Sequence, residues 1–189
     1  MQVHSNKKKK LQQRACIVWM TGLSGAGKTT LATSLEEELS GLGYLCQVLD
    51  GDIMRSGLNK DLGFSEEDRY ENIRRIAEVS KLFLNSGIIC INSFITPTRE
   101  IRQMTRQIIG KENLVEVYIN ASLKVCEERD AKGLYKKARE GRIENFTGID
   151  FPFEEPLHPD IELRTDKLSV EESVGKLLDI VLPRIASLV

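Results

Sequence analysis

Residues 22–30 read Gly22-Leu23-Ser24-Gly25-Ala26-Gly27-Lys28-Thr29-Thr30. This stretch fills every fixed position of the pattern G-x-x-x-x-G-K-[ST], follows an apolar run and opens a helical pattern. Glycines let such a loop turn its N–H groups toward phosphate oxygens, and the following helix adds the positive end of its dipole. Lys28 can reach the β and γ phosphates, and Thr29 can place its hydroxyl on Mg²⁺. We therefore predict a phosphate-binding loop (P-loop) for a nucleoside triphosphate and Mg²⁺.

Apolar runs and helical patterns alternate along the rest of the chain. The predicted strands are residues 15–21, 44–49, 87–92, 114–120 and 161–164, and the predicted helices are residues 28–40, 66–86, 98–109, 123–128 and 170–186. Ser65 and Ser169 each precede a helix and have an acidic residue three positions on, which predicts two N-caps. This alternation is typical of an α/β fold whose parallel sheet is covered by helices on both faces.

Length and charge narrow the class of protein. The 189 residues fit one domain, and 27 lysines and arginines face 28 aspartates and glutamates. The net charge of −1 gives no sign of a nucleic-acid or membrane partner. No run of about 18 apolar residues predicts a membrane span. We expect residues 1–14, with the basic run from Lys7 to Lys10, to form a polar, disordered arm before a domain of residues 15–189.

The cysteines indicate the cellular compartment. Four are present, none at a metal-ligand spacing such as C-x2-C, and three lie inside apolar runs. Small buried side chains in a reducing environment are the simplest interpretation, so we expect a cytoplasmic protein.

Two carboxylates follow the second predicted strand. Asp50 and Asp52 flank Gly51 at the carboxyl end of that strand, where open α/β sheets bind their ligands. One carboxylate can assist Mg²⁺ while the other accepts a proton from an attacking hydroxyl. An ordinary Asp-Gly turn is the alternative.

Cations and aromatic residues cluster in the segments that follow. Arginines such as Arg55 and Arg69 can grip phosphate or sulfate with two donors, and Phe64 and Phe146 lie in polar loops where they can stack on a purine. Solvated surface arginines and aromatic anchors into the core are the alternatives. Residues 129–142 carry a net charge of +4 from six basic and two acidic residues.

The combined motifs resemble those of the adenylylsulfate (APS) kinase family. They read GLSGAGKTT, LDGDxxRxGLNxDLGFSxxDRxENIRR, FITPxR, CExRDxKGLYKKAR and NFTGIDxPxExPxxP. That family uses MgATP to phosphorylate the ribose 3′-hydroxyl of APS, giving 3′-phosphoadenylylsulfate (PAPS). The resemblance implies a three-layer P-loop kinase fold with a five-stranded parallel sheet and a mobile lid at about residues 129–148, which would close over the phosphates and shut out water.

The resemblance also implies roles for individual residues. ATP would bind residues 22–30, Mg²⁺ would be held by Thr29 and Asp52, and catalysis would rest on Lys28 and Asp52. APS would contact nine positions, namely Asp52, Arg55, Phe64, Arg69, Asn72, Ile95, Thr96, Lys132 and Phe146. Thr96 stands where the family has a serine that is sometimes treated as a phosphorylated intermediate. The family is commonly dimeric and in many organisms is fused to ATP sulfurylase.

Three positions depart from the family pattern. Ile53 replaces the usual asparagine after DGD, Thr98 replaces a tyrosine, and Ile101 replaces an aspartate. These changes leave Lys28 and Thr29 untouched, so we predict an active APS kinase. A kinase of another small hydroxyl acceptor, such as a sugar acid or nucleotide, and a non-catalytic nucleotide-binding domain are the alternatives.

Overall fold

The computed structural model describes residues 11–186, and these contain one five-stranded sheet. Its strands are β1 (Ile17–Thr21), β2 (Cys46–Asp50), β3 (Ile89–Ser93), β4 (Leu114–Asn120) and β5 (Ile161–Arg164). Their order is β2-β3-β1-β4-β5, and every neighbouring pair is parallel. The predicted five-stranded parallel sheet is therefore confirmed, and β1 lies at its centre with the P-loop at its carboxyl end.

Seven α-helices occur among the described residues. They are α1 (Lys28–Gly41), α2 (Gly51–Ser56), α3 (Glu66–Asn85), α4 (Arg99–Ile109), α5 (Leu123–Arg129), α6 (Leu134–Arg139) and α7 (Val170–Ile185). The sequence pattern did not indicate α2 and α6, because each has only six residues and neither carries an apolar stripe. None of these helices is both long and apolar enough to cross a membrane.

Two hydrophobic layers cover the two faces of the sheet. On one face, Val18 and Met20 of β1 pack with the buried sides of α1 and α7. On the other face, Ile17 and Trp19 of β1 pack with α3 and α4. Side chains of a strand alternate between faces, so one uniformly apolar strand feeds both layers. The three-layer α/β architecture is confirmed.

Both predicted N-caps are present. The Ser65 hydroxyl accepts the Asp68 N–H at 3.1 Å at the start of α3. Ser169 and Glu172 form a reciprocal capping box at the start of α7, with bonds of 3.2 and 2.8 Å. Each cap satisfies N–H groups that the first helical turn cannot pair, and so sets where the helix begins.

The expectation of a disordered arm through residue 14 is wrong for its last residues. The Gln13 side-chain amide donates to the carbonyls of Leu45 and Gly87 at 2.9 and 2.8 Å, and its Oε1 accepts the Leu45 N–H at 2.8 Å. The Arg14 N–H donates to the Ile185 carbonyl at 2.7 Å. A polar side chain can be buried once its hydrogen bonds are made, so polar composition was misleading. Residues 1–10, with the lysine run, lie outside the described residues.

Gly22 marks the turn from β1 into the P-loop, and it tolerates no side chain. Its φ is +154°, and a Cβ there would lie 2.3 Å from the carbonyl oxygen of Ile119 in β4. We expect Gly22→Ala to lower the free energy of unfolding by about 1–3 kcal/mol, because strand backbone cannot move aside as a side chain can. Urea unfolding followed by circular dichroism measures this change.

Gly175→Ala in α7 is the matched control for this substitution. Nothing lies within 4 Å of a Cβ at Gly175, so alanine there should stabilise the helix by about 0.5–1 kcal/mol. Equal stability of the two variants would show that the close approach of Gly22 to β4 does not constrain the loop.

Candidate active site

The P-loop wraps around the amino group of Lys28. Lys28 Nζ donates to the carbonyls of Gly22 and Leu23 at 3.0 and 2.8 Å. Gly25 and Gly27 have φ values of +74° and +99°, a left-handed backbone that favours glycine. Burial lowers the pKa of Lys28 to about 8. The ammonium is therefore held at the loop in a desolvated setting, where an anionic phosphate would be a strong partner.

Asp50, rather than Asp52, lies against the P-loop threonine. Asp50 Oδ2 accepts the Thr29 hydroxyl at 2.8 Å, and Ser93 Oγ lies 3.4 Å from the same hydroxyl. The other carboxylate oxygen of Asp50 accepts the Asp52 N–H at 2.9 Å and caps α2. Because β2 and β3 end side by side, their last residues and the start of α1 meet at one point.

These oxygen atoms fit a magnesium site completed by a nucleotide. Mg²⁺ takes one or two carboxylates together with substrate phosphates, and hydroxyl and carboxylate oxygens are its preferred ligands. Residues 11–186 contain no group of three or more His, Cys, Asp or Glu side chains that could hold a metal by themselves. Thr29 and Asp50 are the two oxygen-bearing side chains in contact here, while the assignment of Mg²⁺ to Thr29 and Asp52 stays a prediction.

Asp52 instead lies against residues 129–148, which include the charged run of residues 129–142 and are called the basic segment below. Its carboxylate forms an ion pair with Lys132, and both side chains are more than half exposed. Asp52 lies one residue into α2, whereas Lys132 lies between α5 and α6. The sequence placed both residues at the acceptor, and the structure brings them together across 80 positions of chain.

Arg55 and Phe64 pack together and form a cationic, aromatic surface, which is the candidate acceptor surface. The Arg55 guanidinium lies 4.4 Å from the centroid of the Phe64 ring, and Arg55 Nη1 donates to the Gly63 carbonyl at 2.9 Å. Phe64 is 54% exposed, so most of its ring remains open. Burial lowers the pKa of Arg55, and a bound anion would offset this desolvation.

Arg69 joins the candidate acceptor surface to residues 145–147, near the end of the basic segment. Its Nε donates to the Phe64 carbonyl at 3.1 Å, its Nη1 donates to the Thr147 hydroxyl at 3.0 Å, and its Nη2 donates to the Asn145 carbonyl. Arg69 is 8% exposed, and burial lowers its pKa. Three of the guanidinium N–H groups of Arg69 are thus used within the protein. Arg69 is therefore a bridge between the loops of Phe64 and Asn145 as well as a cation beside the acceptor surface.

Phe146 lies at the far side of that bridge. Its ring meets Tyr135 of α6 edge to face, with centroids 4.9 Å apart, and it packs partly against the core. The structure therefore anchors Phe146 and leaves Phe64 open, which combines both interpretations of aromatic residues in polar loops.

Asn72 is buried in α3, and the side-chain amide of Asn59 holds it in place. Asn59 Nδ2 donates to the Asn72 side-chain oxygen at 2.9 Å, and both residues are almost fully buried. This bond fixes the orientation of the Asn72 amide, whose own donors then point elsewhere. The sequence indicated Asn72 through the family motif and gave no separate reason for Asn59.

The loop after β3 is hydrogen-bonded to the start of the P-loop. The Ile95 carbonyl accepts the Gly22 N–H at 3.3 Å and the Thr21 hydroxyl at 2.6 Å. The hydroxyl of Thr96 is buried and accepts the Trp19 indole N–H at 2.9 Å. A buried, hydrogen-bonded hydroxyl is poorly placed to receive a phosphoryl group, so this geometry favours a structural role for Thr96 over that of a phosphorylated intermediate.

The three departures from the family pattern differ in setting. Ile53 is 69% exposed in α2 beside Asp52. The Thr98 hydroxyl accepts the Ile101 N–H at 3.3 Å and caps α4, and Ile101 is buried in the core against α3. Thr98 and Ile101 therefore stabilise α4, and only Ile53 changes the exposed surface of the site.

Sequence reasoning gave no specific role to two residues that hold the basic segment to the P-loop. Arg129 donates to the carbonyls of Gly25 and Thr165 at 3.3 and 2.6 Å. The Tyr135 hydroxyl donates to the Ser24 carbonyl at 2.9 Å. The charge of the segment was a signal that it approaches phosphates, but no local pattern showed which of its residues face the loop.

Comparison with known proteins identifies the relatives of this chain. The model of the adenylylsulphate kinase family matches residues 14–164. The chain is 58% identical over 185 residues to an adenylyl-sulfate kinase of Bacteroides thetaiotaomicron, covering 98% of this chain and 92% of that protein.

Solved structures agree with this relationship. The fold is similar to that of a Mycobacterium tuberculosis APS kinase in complex with AMPPNP and APS, with a TM-score of 0.86 and 42% identity, covering 89% of this chain and 98% of that one. A hexameric APS kinase from Thiobacillus denitrificans is 30% identical with a TM-score of 0.66, covering 88% of this chain and 28% of that one. Sequence and structure together place the chain in the adenylylsulphate kinase family.

Proposed function

We propose that this chain transfers the γ-phosphate of ATP to the ribose 3′-hydroxyl of APS, giving PAPS and ADP in sulfate activation. The observation that carries this proposal is the Asp52–Lys132 pair, because Asp52 lies close enough to both Lys28 of the P-loop and Arg55 to favour their charged forms. A carboxylate between a triphosphate site and a cationic, aromatic surface suits transfer to a hydroxyl of a second nucleotide.

Different residues would carry out different parts of the proposed reaction. Lys28, which lies within the P-loop, would stabilise negative charge on the β and γ phosphates. Asp52 would accept the proton of the 3′-hydroxyl as its oxygen attacks phosphorus. Lys132 holds Asp52 at the site and must release it for that proton. Phe64 and Phe146 would hold the adenine of APS, and Arg55 and Arg69 its anionic groups.

Residues 129–148 would act as the lid. Arg129 and Tyr135 hold this segment against the P-loop, and Arg69 holds its far end. A segment in this place can exclude water and so limit hydrolysis of ATP. We propose that it opens to admit and release nucleotides.

We propose that Mg²⁺ enters with ATP and is held by Thr29 and Asp50. Bound there, the cation would neutralise charge on the phosphate oxygens. Asp52, which the family resemblance assigns to the metal, is left to the acceptor hydroxyl.

Asp50→Asn tests this division of labour. We expect its apparent requirement for Mg²⁺ to rise by about 10–100-fold, because loss of one ligand or its partner typically weakens metal binding by that factor. Initial rates over a Mg²⁺ titration at saturating ATP and APS measure the shift. Asp52→Asn is the comparison, and a larger Mg²⁺ shift in that variant would return the metal to Asp52.

A coupled assay of ADP release tests the function itself. We expect release with MgATP to depend on APS at micromolar concentration. Sugar acids and nucleoside monophosphates in the same assay test the second hypothesis, a kinase of another acceptor. Binding of ATP and APS without turnover would instead support a non-catalytic domain.

We also propose self-association, with a homodimer as the simplest form, and association or fusion with ATP sulfurylase in some settings. The hexameric Thiobacillus denitrificans relative supports assembly in this family. Light scattering of the purified protein measures its mass in solution and so tests self-association.

A cytoplasmic location is supported by four free cysteines, of which Cys16 and Cys90 have pKa values raised to about 12 by burial.

A further inference from the structure

We propose that Arg102 of α4 is a positioning residue that shapes the APS site by holding Thr96 in a left-handed backbone conformation. This inference rests on the proposed function and names a residue that the motif assignments leave without a role. The hydrogen bonds of Arg102 go to the Thr96 and Glu154 carbonyls and not to the P-loop, Arg55 or Phe64. Its effect would pass through the Ile95–Thr96 segment.

Thr96 has a backbone conformation that needs outside support. Its φ is +47°, in a region that β-branched residues rarely occupy. Such strain persists where surrounding contacts over-determine it, and it concentrates at functional sites. Three side chains hold Thr96: the Trp19 indole reaches its hydroxyl at 2.9 Å, while Thr21 and Arg102 reach its carbonyl at 3.2 and 2.7 Å.

Arg102 also holds a second segment of the site. Its Nη2 donates to the Glu154 carbonyl, and its guanidinium lies 5.9 Å from the Phe153 ring. The Glu154 N–H donates in turn to the Pro97 carbonyl at 2.8 Å. Arg102 therefore clamps residues 95–97 to residues 153–154, which follow the loop of Phe146 and Phe151. The Phe151 ring, two residues before Phe153, lies 4.7 Å from the Arg69 guanidinium, so the second clamped segment continues directly into the loop that Arg69 holds.

The clamp is rigid because the guanidinium is buried. Arg102 is 4% exposed, and its Nε lies 4.0 Å from Glu116 Oε1, a buried carboxylate oxygen with no hydrogen bond. The planar guanidinium spreads five donors over three nitrogen atoms and can reach two carbonyls and a carboxylate at once, whereas an ammonium offers three donors at a single point. Loss of the clamp would free the Thr96 carbonyl to relax and would shift the loop that meets APS.

A simpler explanation is that Arg102 only neutralises buried Glu116. Arg106, one turn further along α4, allows neutralisation of Glu116 to be distinguished from positioning of Thr96. Arg106 Nε donates to Glu116 Oε2 at 2.8 Å. Arg106 shares this carboxylate with Arg102, whereas the bonds to the Thr96 and Glu154 carbonyls belong to Arg102, which makes Arg106 the matched control.

Steady-state kinetics of Arg102→Gln and Arg106→Gln test the inference. We expect Arg102→Gln to raise the KM for APS by about 10–100-fold, the scale of an ångström-sized misplacement. The KM for ATP should rise much less, because Thr21 and Gly22 keep their bonds to the Ile95 carbonyl. Arg106→Gln should leave both KM values unchanged even if its melting temperature falls. A purely structural loss would lower the active fraction and kcat without separating the two KM values.

Arg102→Lys guards against a variant that fails to fold. It keeps a positive charge beside Glu116 but lacks the forked donors that reach the Thr96 and Glu154 carbonyls from separate nitrogen atoms, so we expect a raised KM for APS at a near-normal melting temperature. An unchanged KM for APS in Arg102→Lys and in folded Arg102→Gln would overturn the inference, as would an equal rise in Arg106→Gln. Failure of the unaltered protein to use APS would instead overturn the proposed function.

Discussion

Replacing Lys28 with methionine is expected to lower kcat by about 10²–10³-fold, the usual loss when one electrostatic donor is removed from an active site. Methionine keeps much of the buried stem and loses the ammonium that reaches the Gly22 and Leu23 carbonyls. The protein should stay folded, because the apolar part of the side chain still fills its place. Single-turnover kinetics with MgATP and APS measure the loss.

Lys124→Met is the matched control for this charge removal. Lys124 is highly exposed and forms only a surface pair with Glu128 at 3.9 Å, so its loss should cost little activity or stability. A similar loss of kcat in both variants would mean that net charge, and not the ammonium in the P-loop, limits the rate.

The lowered pKa of Lys28 adds a second readout. Burial lowers this pKa to about 8, so near pH 8 a large fraction of the side chain is neutral. Phosphate oxygens favour the charged form and should raise the pKa, so binding of MgATP should take up protons. Calorimetry in buffers of different ionisation enthalpy measures this uptake, which should shrink in Lys28→Met. Equal uptake in both proteins would contradict the proposed contact with the phosphates.

Asp52→Asn is expected to lower kcat by about 10²–10⁴-fold, the range that general acid–base catalysis contributes. The amide has nearly the same shape but cannot accept the proton of the 3′-hydroxyl. Affinity for ATP should be retained, because Asp52 does not contact the P-loop threonine, whereas Asp50 does. Rapid-quench kinetics and a separate ATP titration distinguish the two effects.

Asp179→Asn is the control for this substitution. Asp179 is exposed in α7, which packs on α1 away from Asp52, so the variant should behave as the unaltered protein. Near-normal turnover by Asp52→Asn would remove Asp52 from catalysis, and loss of turnover in Asp50→Asn alone would transfer the role to Asp50.

Local sequence was sufficient for most of the fold. The apolar runs of β4 and β5 and the helices after Ser65 and Ser169 begin where their residues predict, because periodicity and caps act over a few residues. Errors arose where the decisive contacts lie far apart in the chain. Gln13 looked like part of a polar arm, yet it is buried by bonds to Leu45 and Gly87.

The candidate site divides in the same way. The P-loop is contiguous, so its spacing alone predicted Lys28 at the phosphates and Thr29 at the metal. The separation of Asp50 from Asp52 was not readable, because both flank Gly51 at the same strand end. In the folded chain Asp50 accepts the Thr29 hydroxyl and caps the six-residue helix α2. Asp52, within that helix, pairs with Lys132.

By itself the sequence determined the α/β class, the family and the phosphate-binding loop, since each depends on patterns within short stretches of chain. Only the tertiary structure decided which carboxylate meets Thr29, that Arg69 bridges two loops, and that Arg102 supports the strained Thr96. The physical reason is that hydrogen bonds and ion pairs are short-ranged. They form between whichever groups the packed sheet and helices bring within about 3 Å, however far apart those groups lie in the chain.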